Sequence, residues 1–252
     1  MVKSADRAMD ILETLAEAPL GLTHAELAVR LAIPRSSLTG LLDALTARDF
    51  VEYDSRTKRY LTGFSVLRLG RSYLARLDLV QCARPLIASL STEIEEACAL
   101  TIRRDHTIVV VAKMDDPHLY RPSLSQQLGA SGPLHASASG KAMLAAAGEA
   151  AVDDYLARID AVPRDPTRPL DAAALRADLR TALDTGFGWS RGEMFEGIVA
   201  VGVAIRGSTD DVVAGLSVSL PQDRALPEHL DRIKRALRRT ADALSIRMGA
   251  AA

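Results

Sequence analysis

Ser217 and Ser219 alternate with Leu216, Val218 and Leu220, so in a strand both hydroxyls share one face. Ala138-Ser139-Gly140 opens a helical stretch that runs to Ala147, with Ser139 at its start. The first N–H groups of a helix and its positive dipole end hold a carboxylate without a buried lysine or arginine. Apolar walls with a few converging hydroxyls suit a small organic acid. The plainer alternative for the two serines is ordinary polarity on a solvated strand face. Lys141 either assists the anion or points into solvent. His135 reads as a hydrogen-bonded structural histidine rather than a metal ligand.

A second chemistry is encoded near the N-terminus. Arg35, Ser36, Ser37 and Thr39 lie on the polar side of a segment whose Leu38, Leu41, Leu42 and Leu45 repeat at helical spacing. Arginine reads guanine edges, and serine or threonine reaches phosphates and bases. Arg56, Lys58 and Arg59 concentrate positive charge around a short turn, where phosphates would lie. Lys3, Arg7 and Thr23 join these as candidate DNA contacts.

Gly188-Trp189-Ser190-Arg191-Gly192 spells G-x-S-x-G, which as a nucleophile elbow needs a strand before the serine and a helix after it. A helical pattern instead ends at Gly186, residues 193–197 have no helical periodicity, and the only histidine downstream is His229. A serine hydrolase using Ser190 is therefore the disfavoured alternative, and no enzyme activity is expected. Gly140-Lys141 lacks the remaining residues of a phosphate loop: His135 stands where glycine is needed, and Ala142 replaces Ser/Thr. Cys82 and Cys98, with five histidines, give neither a disulfide framework nor zinc spacing. No metal or cofactor is expected.

These residues need elements to position them. Ala8, Ile11, Leu12 and Leu15 mark a first helix. Thr23 and Glu26 form a capping box ahead of a short second helix through Leu27 and Leu31. Pro34 suits the start of a third. Phe50–Tyr53 and Arg59–Leu61 read as two strands around residues 54–58. Three helices and a basic hairpin in this order predict a winged helix-turn-helix, whose third helix packs by one face and offers the other to the major groove. Val66, Leu67, Gly70, Tyr73, Leu74 and Leu77 line one side of a helix over 64–78, and an amphipathic helix continues over 79–97. Strands over 99–102, 107–112, 199–205 and 212–220, an extended piece over 123–129, and helices over 139–147, 171–186 and 227–248 then give an α+β domain with an antiparallel sheet.

The chain of 252 residues carries a formal net charge of −1, and its first 80 residues hold eleven Lys/Arg against ten Asp/Glu. DNA contact must therefore come from a local patch, not bulk charge. No apolar run approaches the roughly 20 residues of a membrane span. The start leads directly into a helix pattern, so a cytoplasmic protein is expected.

The opening Val2–Leu12, the stretch Leu22–Ala28 followed by Ile33–Ser37, the block Pro133–Ala145 and the segment Val213–Ser219 together resemble the IclR family of transcriptional regulators, across essentially the whole chain. The resemblance implies a DNA-binding domain over 1–63, a linker helix over 64–78 contributing to dimer contacts, and a GAF-like effector-binding and oligomerisation domain over 79–252. It implies binding to double-stranded operator DNA, dimers that pair into tetramers, and effector contacts at Ala138, Ser139, Ser190, Ala200, Ser217 and Ser219. Trp189 either walls that pocket or, as a lone tryptophan more often does, packs in the core. Many members carry arginine where this chain has Gly40 and histidine where it has Thr39, which implies a different operator. Members binding small aliphatic acids often have an acidic residue at the place of Ser190 and cysteine at that of Ala200. The less acidic, more open pocket implied here favours a larger or aromatic acid. A ligand-sensing adaptor that no longer binds DNA is the other alternative.

Overall fold

The computed structural model describes residues 3–75, 78–115, 127–158 and 171–250, with side chains left out at 71–75 and 78. Arg76, Leu77 and residues 123–126 of the extended piece expected over 123–129 lie outside them; residues 127–130 form a turn, closed by the Ala130 amide on the Gln127 carbonyl at 3.0 Å. The chain forms two compact units, 1–77 and 78–252.

In the first unit, α1 (Lys3–Ala16), α2 (His24–Arg30) and α3 (Arg35–Thr46) are joined by a sheet of β1 (Leu22–Thr23), β2 (Val51–Asp54) and β3 (Arg59–Thr62), in the antiparallel order β1-β3-β2. Helical spacing brings Ile11 and Leu15 of α1 and Leu38 and Leu42 of α3 into one core with Leu27, Ile33 and Val51. The Thr23–Glu26 capping box starts α2. The carbonyl of Pro34 accepts the first bond of α3, from the Leu38 amide at 3.0 Å. A fourth helix, α4 (Phe64–Ala75), leaves Phe64, Leu67 and Leu69 exposed.

The second unit is built on a six-stranded antiparallel sheet. Its strands are β4 (Ala97–Arg104), β5 (Thr107–Met114), β6 (Ser131–Pro133), β7 (Gly188–Arg191), β8 (Ile198–Arg206) and β9 (Val212–Pro221), in the order β6-β5-β4-β9-β8-β7. The helices are α5 (Asp78–Ile94), α6 (Ala138–Ala146), α7 (Glu149–Ala157), α8 (Ala172–Thr185) and α9 (Pro227–Arg247). The two sheet faces differ in side-chain size. Val201, Val203 and Ile205 of β8, Leu216 and Val218 of β9, and Leu100 of β4 are all buried and share one face, on the side of α5 and α9. The other face carries Gly188, Gly202, Gly215, Ala99, Thr101, Ser217 and Ser219.

That small-residue face lets α6 lie on the sheet at backbone contact. A Cβ on Gly202 would sit 2.5 Å from the Ser139 amide nitrogen, and one on Gly188 2.3 Å from the Ala138 carbonyl oxygen. The sheet is thus stripped of side chains along three neighbouring strands where the helix rests. α6 starts at Ala138, one residue earlier than its sequence suggested, because Ser137 and not Ser139 is its cap: Ser137 Oγ accepts from the Gly140 amide at 3.2 Å. β6, β7 and α7 were not expected; each is short and lacks a sustained period.

Candidate functional site

In the first unit α3 buries Leu38 and Leu42 and leaves Arg35, Ser36, Ser37, Thr39 and Gly40 exposed. Thr39 is already engaged: its hydroxyl donates to the Arg35 carbonyl at 3.0 Å, and His24 Nε2 lies 3.0 Å from the same oxygen. With the threonine proton so used, His24 is the donor of that pair. His24 is a residue the sequence reading missed; its partner lies 15 positions away on another helix.

The wing tip is held by Asp54. Its carboxylate accepts from the Arg56 amide at 2.8 Å and from the Thr57 hydroxyl at 2.7 Å, and these bonds, the Thr57 hydroxyl first, hold it below the usual carboxylate range. Arg56 and Lys58 are exposed on this fixed turn. Arg59 is not at the tip with them. Its guanidinium donates to the Gly21 carbonyl at 2.7 Å and meets the Glu26 carboxylate at 3.2 Å. The antiparallel register, Thr23 opposite Arg59, turns it back onto α2. Thr23 is likewise taken, by its capping box with Glu26. Lys3 is exposed and Arg7 half-buried on α1. Thr39 aside, the exposed DNA-contact candidates are therefore Lys3, Arg35, Ser36, Ser37, Arg56 and Lys58.

Gly40 lies mid-helix on this surface, and a Cβ there would meet nothing within 4 Å. Glycine in a helix interior costs about 1 kcal/mol against alanine. Gly40→Ala is therefore expected to stabilise this unit by about 1 kcal/mol, read from urea unfolding of the full chain. A loss of stability would contradict the open surroundings.

In the second unit a cavity of ≈ 70 Å³ lies between the small-residue face of the sheet and the start of α6. Ala138, Ser139, Ser190, Ala200, Ser217 and Ser219, expected at one site from four separate segments, all line it. The strand pairs Ala200–Ser219 and Ser190–Ala200 place three of them side by side on β7, β8 and β9. Trp189 does not line it. The two-residue period of β7 turns Trp189 to the opposite side from Ser190, where the Arg191 guanidinium lies 4.6 Å from its ring centre.

Thr101 and Ser137 also line the cavity and had not been singled out. The Thr101 hydroxyl lies 2.9 Å from Ser139 Oγ and 3.2 Å from the Gly215 carbonyl, and Ser137 Oγ lies 3.0 Å from Ser139 Oγ. Thr101 sits beside a β-bulge in the β4–β5 pairing, a device that re-aims side chains near sites. Ile108, Val110, Met194, Phe195 and Ile198 supply apolar wall, and among the described residues no charged side chain lines the cavity. The start of α6 carries the local positive field. Two amides there precede the first intrahelical acceptors, so the arrangement suits an anion held by amides and hydroxyls over an apolar body.

Lys141 points neither into this cavity nor into solvent. Its side chain is 3% exposed and makes ion pairs of 2.6 Å with Asp178 and 2.6 Å with Glu193. His135 is hydrogen-bonded as expected, with Nδ1 2.6 Å from the Tyr155 hydroxyl; burial pushes that phenol up to about 12. Ser190 sits inside β7 and is followed by a turn into β8, so it lacks the strand–serine–helix geometry of a nucleophile elbow. His229 pairs with Glu96 at 2.7 Å. Among the described residues no cluster of His, Cys, Asp or Glu suits a metal ion, and no helix is long and apolar enough to cross a membrane.

Residues 4–55 match the model of the IclR helix-turn-helix domain, and residues 71–246 match that of the bacterial transcriptional regulator IclR C-terminal domain. The chain is 26% identical over 247 residues to the HTH-type transcriptional repressor AllR of Escherichia coli strain K12, covering 98% of this chain and 90% of the relative. It is 30% identical to the HTH-type transcriptional regulator BhcR of Paracoccus denitrificans, covering 98% and 88%. Its fold is similar to the crystal structure of an IclR homolog from Microbacterium hydrocarbonoxydans complexed with 4-hydroxybenzoate, with a TM-score of 0.77 at 23% identity over 96% of this chain and 99% of that one.

Proposed function

Because the chain belongs to the IclR family of bacterial transcriptional regulators, we propose that it binds its operator through α3 and the wing, under control of a small organic carboxylate held in the second unit. The observation that carries the DNA contact is the division of α3, which packs through Leu38 and Leu42 and turns Arg35, Ser36 and Ser37 outward, while Arg56 and Lys58 stand exposed on the wing.

Residues 1–63 act as the DNA-binding domain and 79–252 as the effector domain, joined by the helix between them. The exposed Phe64, Leu67 and Leu69 of α4 support a role for that helix in pairing two copies. A dimer sets two α3 helices into successive major grooves of a near-palindromic site, and dimers pair into tetramers. The protein acts in the cytoplasm, where the DNA is, and as a switch rather than an enzyme. The effector must bind two arrangements of the subunits with different affinity in order to act.

The lining suits an aromatic acid better than a two- or three-carbon one, although at ≈ 70 Å³ the cavity has to widen to admit a ring. Among the described residues Ser190 and Ala200 leave it without a charged side chain, Phe195 and Met194 give it an apolar end, and a similar fold holds 4-hydroxybenzoate.

The test is a mobility-shift titration on the DNA upstream of the gene, with calorimetry against aliphatic and aromatic carboxylates. Affinity for DNA is expected to fall linearly with log salt, by about 0.9 per phosphate neutralised. A flat salt response, or no binding, would remove the DNA-binding reading. Ser217→Ala combined with Ser219→Ala is expected to weaken carboxylate binding by about 100-fold or more, since hydrogen bonds to a charged group contribute roughly 1.5–3 kcal/mol each. Operator affinity without effector should be unchanged. Equal loss of both activities would break the proposed division of labour.

A further inference from the structure

We propose that the β7–β8 loop, residues 192–197, is the door of the effector cavity and that Lys141 is its latch. The inference rests on the reading of that cavity as the effector site. Met194 and Phe195, at the middle of the loop, line the cavity. The loop leaves one edge of the sheet at β7, and Met194 reaches β6, the other edge: a Cβ on Gly132 would stand 2.9 Å from Met194 Cε. The loop thus spans the cavity from edge to edge.

Its ends are built to pivot. Gly192 and Gly197 have φ of 76° and 73°, with open space where a Cβ would lie. Among the described residues the loop's backbone bonds close on its own base: the Gly192 amide donates to the Ile198 carbonyl at 2.9 Å and the Ile198 amide to the Phe195 carbonyl at 3.2 Å. The Gln222 amide holds only the Gly197 end.

Glu193 ties the loop to α6: its carboxylate lies 2.6 Å from Lys141 Nζ, and it also accepts from the Arg191 amide at 3.4 Å. A lysine this enclosed is costly without a counter-charge. Lys141 has two, on different elements: Asp178 on α8 and Glu193 on the loop. Asp178 keeps the ammonium paired when Glu193 swings away, so the loop can open without stranding a buried charge. Lys141 is also two residues from Ser139, so latch and anion subsite ride on one helix. Lys141 is a positioning residue and does not touch the effector.

The test reads opening without any effector. Cys82→Ser removes the half-buried thiol, and Ser217→Cys puts one inside the cavity. Cys98 remains as an internal marker of global unfolding; it is fully buried, and burial pushes its thiol up and makes it inert. The rate of modification of the full-length protein by methyl methanethiosulfonate then follows the open population. Adding Glu193→Gln is expected to speed modification at position 217 by about tenfold, with Cys98 unmodified. Adding Asp178→Asn, which leaves the loop's own tie in place, should change it by less than about threefold. An unchanged rate with Glu193→Gln, equal acceleration by Asp178→Asn, or modification of Cys98 in step with the cavity thiol would overturn the latch. Because no carboxylate is present, failure here is distinct from failure of the effector reading, which calorimetry on the unmodified protein decides.

Discussion

Arg35→Ala is expected to weaken operator binding by roughly 10- to 100-fold for each half-site, the scale of about 1–3 kcal/mol for one bidentate base contact. The loss compounds in a dimer, since both half-sites lose the same group. Arg35 opens α3 and is exposed, while the core under the helix is made by Leu38 and Leu42. Stability should therefore stay within about 0.5 kcal/mol of the parent, and calorimetric affinity for a carboxylate should be unchanged. Fluorescence anisotropy at several salt concentrations separates two roles for the side chain. If Arg35 reads a base, affinity falls and the salt slope is preserved; if it neutralises a phosphate, the slope drops by about 1 for each subunit. Operator affinity equal to that of the parent would remove Arg35 from the interface, leaving Ser36, Ser37 and the wing to carry it.

Gly202→Ala is expected to do the opposite: effector binding is lost and operator binding survives without a response to carboxylate. The added methyl would stand 2.5 Å from the Ser139 nitrogen, 2.6 Å from the Ala138 carbonyl carbon and 2.7 Å from Ser139 Cα. All three are backbone atoms, so no rotamer change relieves the overlap and the start of α6 has to lift from the sheet. Overpacking of this kind costs about 1–3 kcal/mol. The same displacement takes the amides of Ala138 and Ser139 and the Ser139 hydroxyl out of register with Thr101, Ser217 and Ser219. The expected result is a fall of about 100-fold or more in carboxylate affinity, as for loss of two charge-assisted hydrogen bonds, together with a lower melting temperature. Parent-like carboxylate affinity would mean that the helix start does not hold the anion.

The first domain was largely legible in the sequence because its signals are local. Helical spacing of Ile11 and Leu15 and of Leu38 and Leu42, the Thr23–Glu26 capping box and the basic turn each lie within a few residues, and local periodicity alone assigns the buried and exposed sides. The same holds for the shared face of Ser217 and Ser219, which needs only the two-residue period of a strand. Trp189 shows where this fails. β7 has four residues, too few to announce a strand, and without the strand its parity with Ser190 was open.

What the tertiary structure alone decided is what depends on distant segments meeting. Thr101 reaches Ser139 across 38 positions and Gly215 across 114, and Arg59 turns back to Gly21 across 38. Gly188, Gly202 and Gly215 look unrelated until strand register lines them up beneath α6. Lys141 had two open readings and took neither, because its partners come from α8 and from the β7–β8 loop. Periodicity fixes which way a side chain leaves its own backbone; only packing fixes what it finds there.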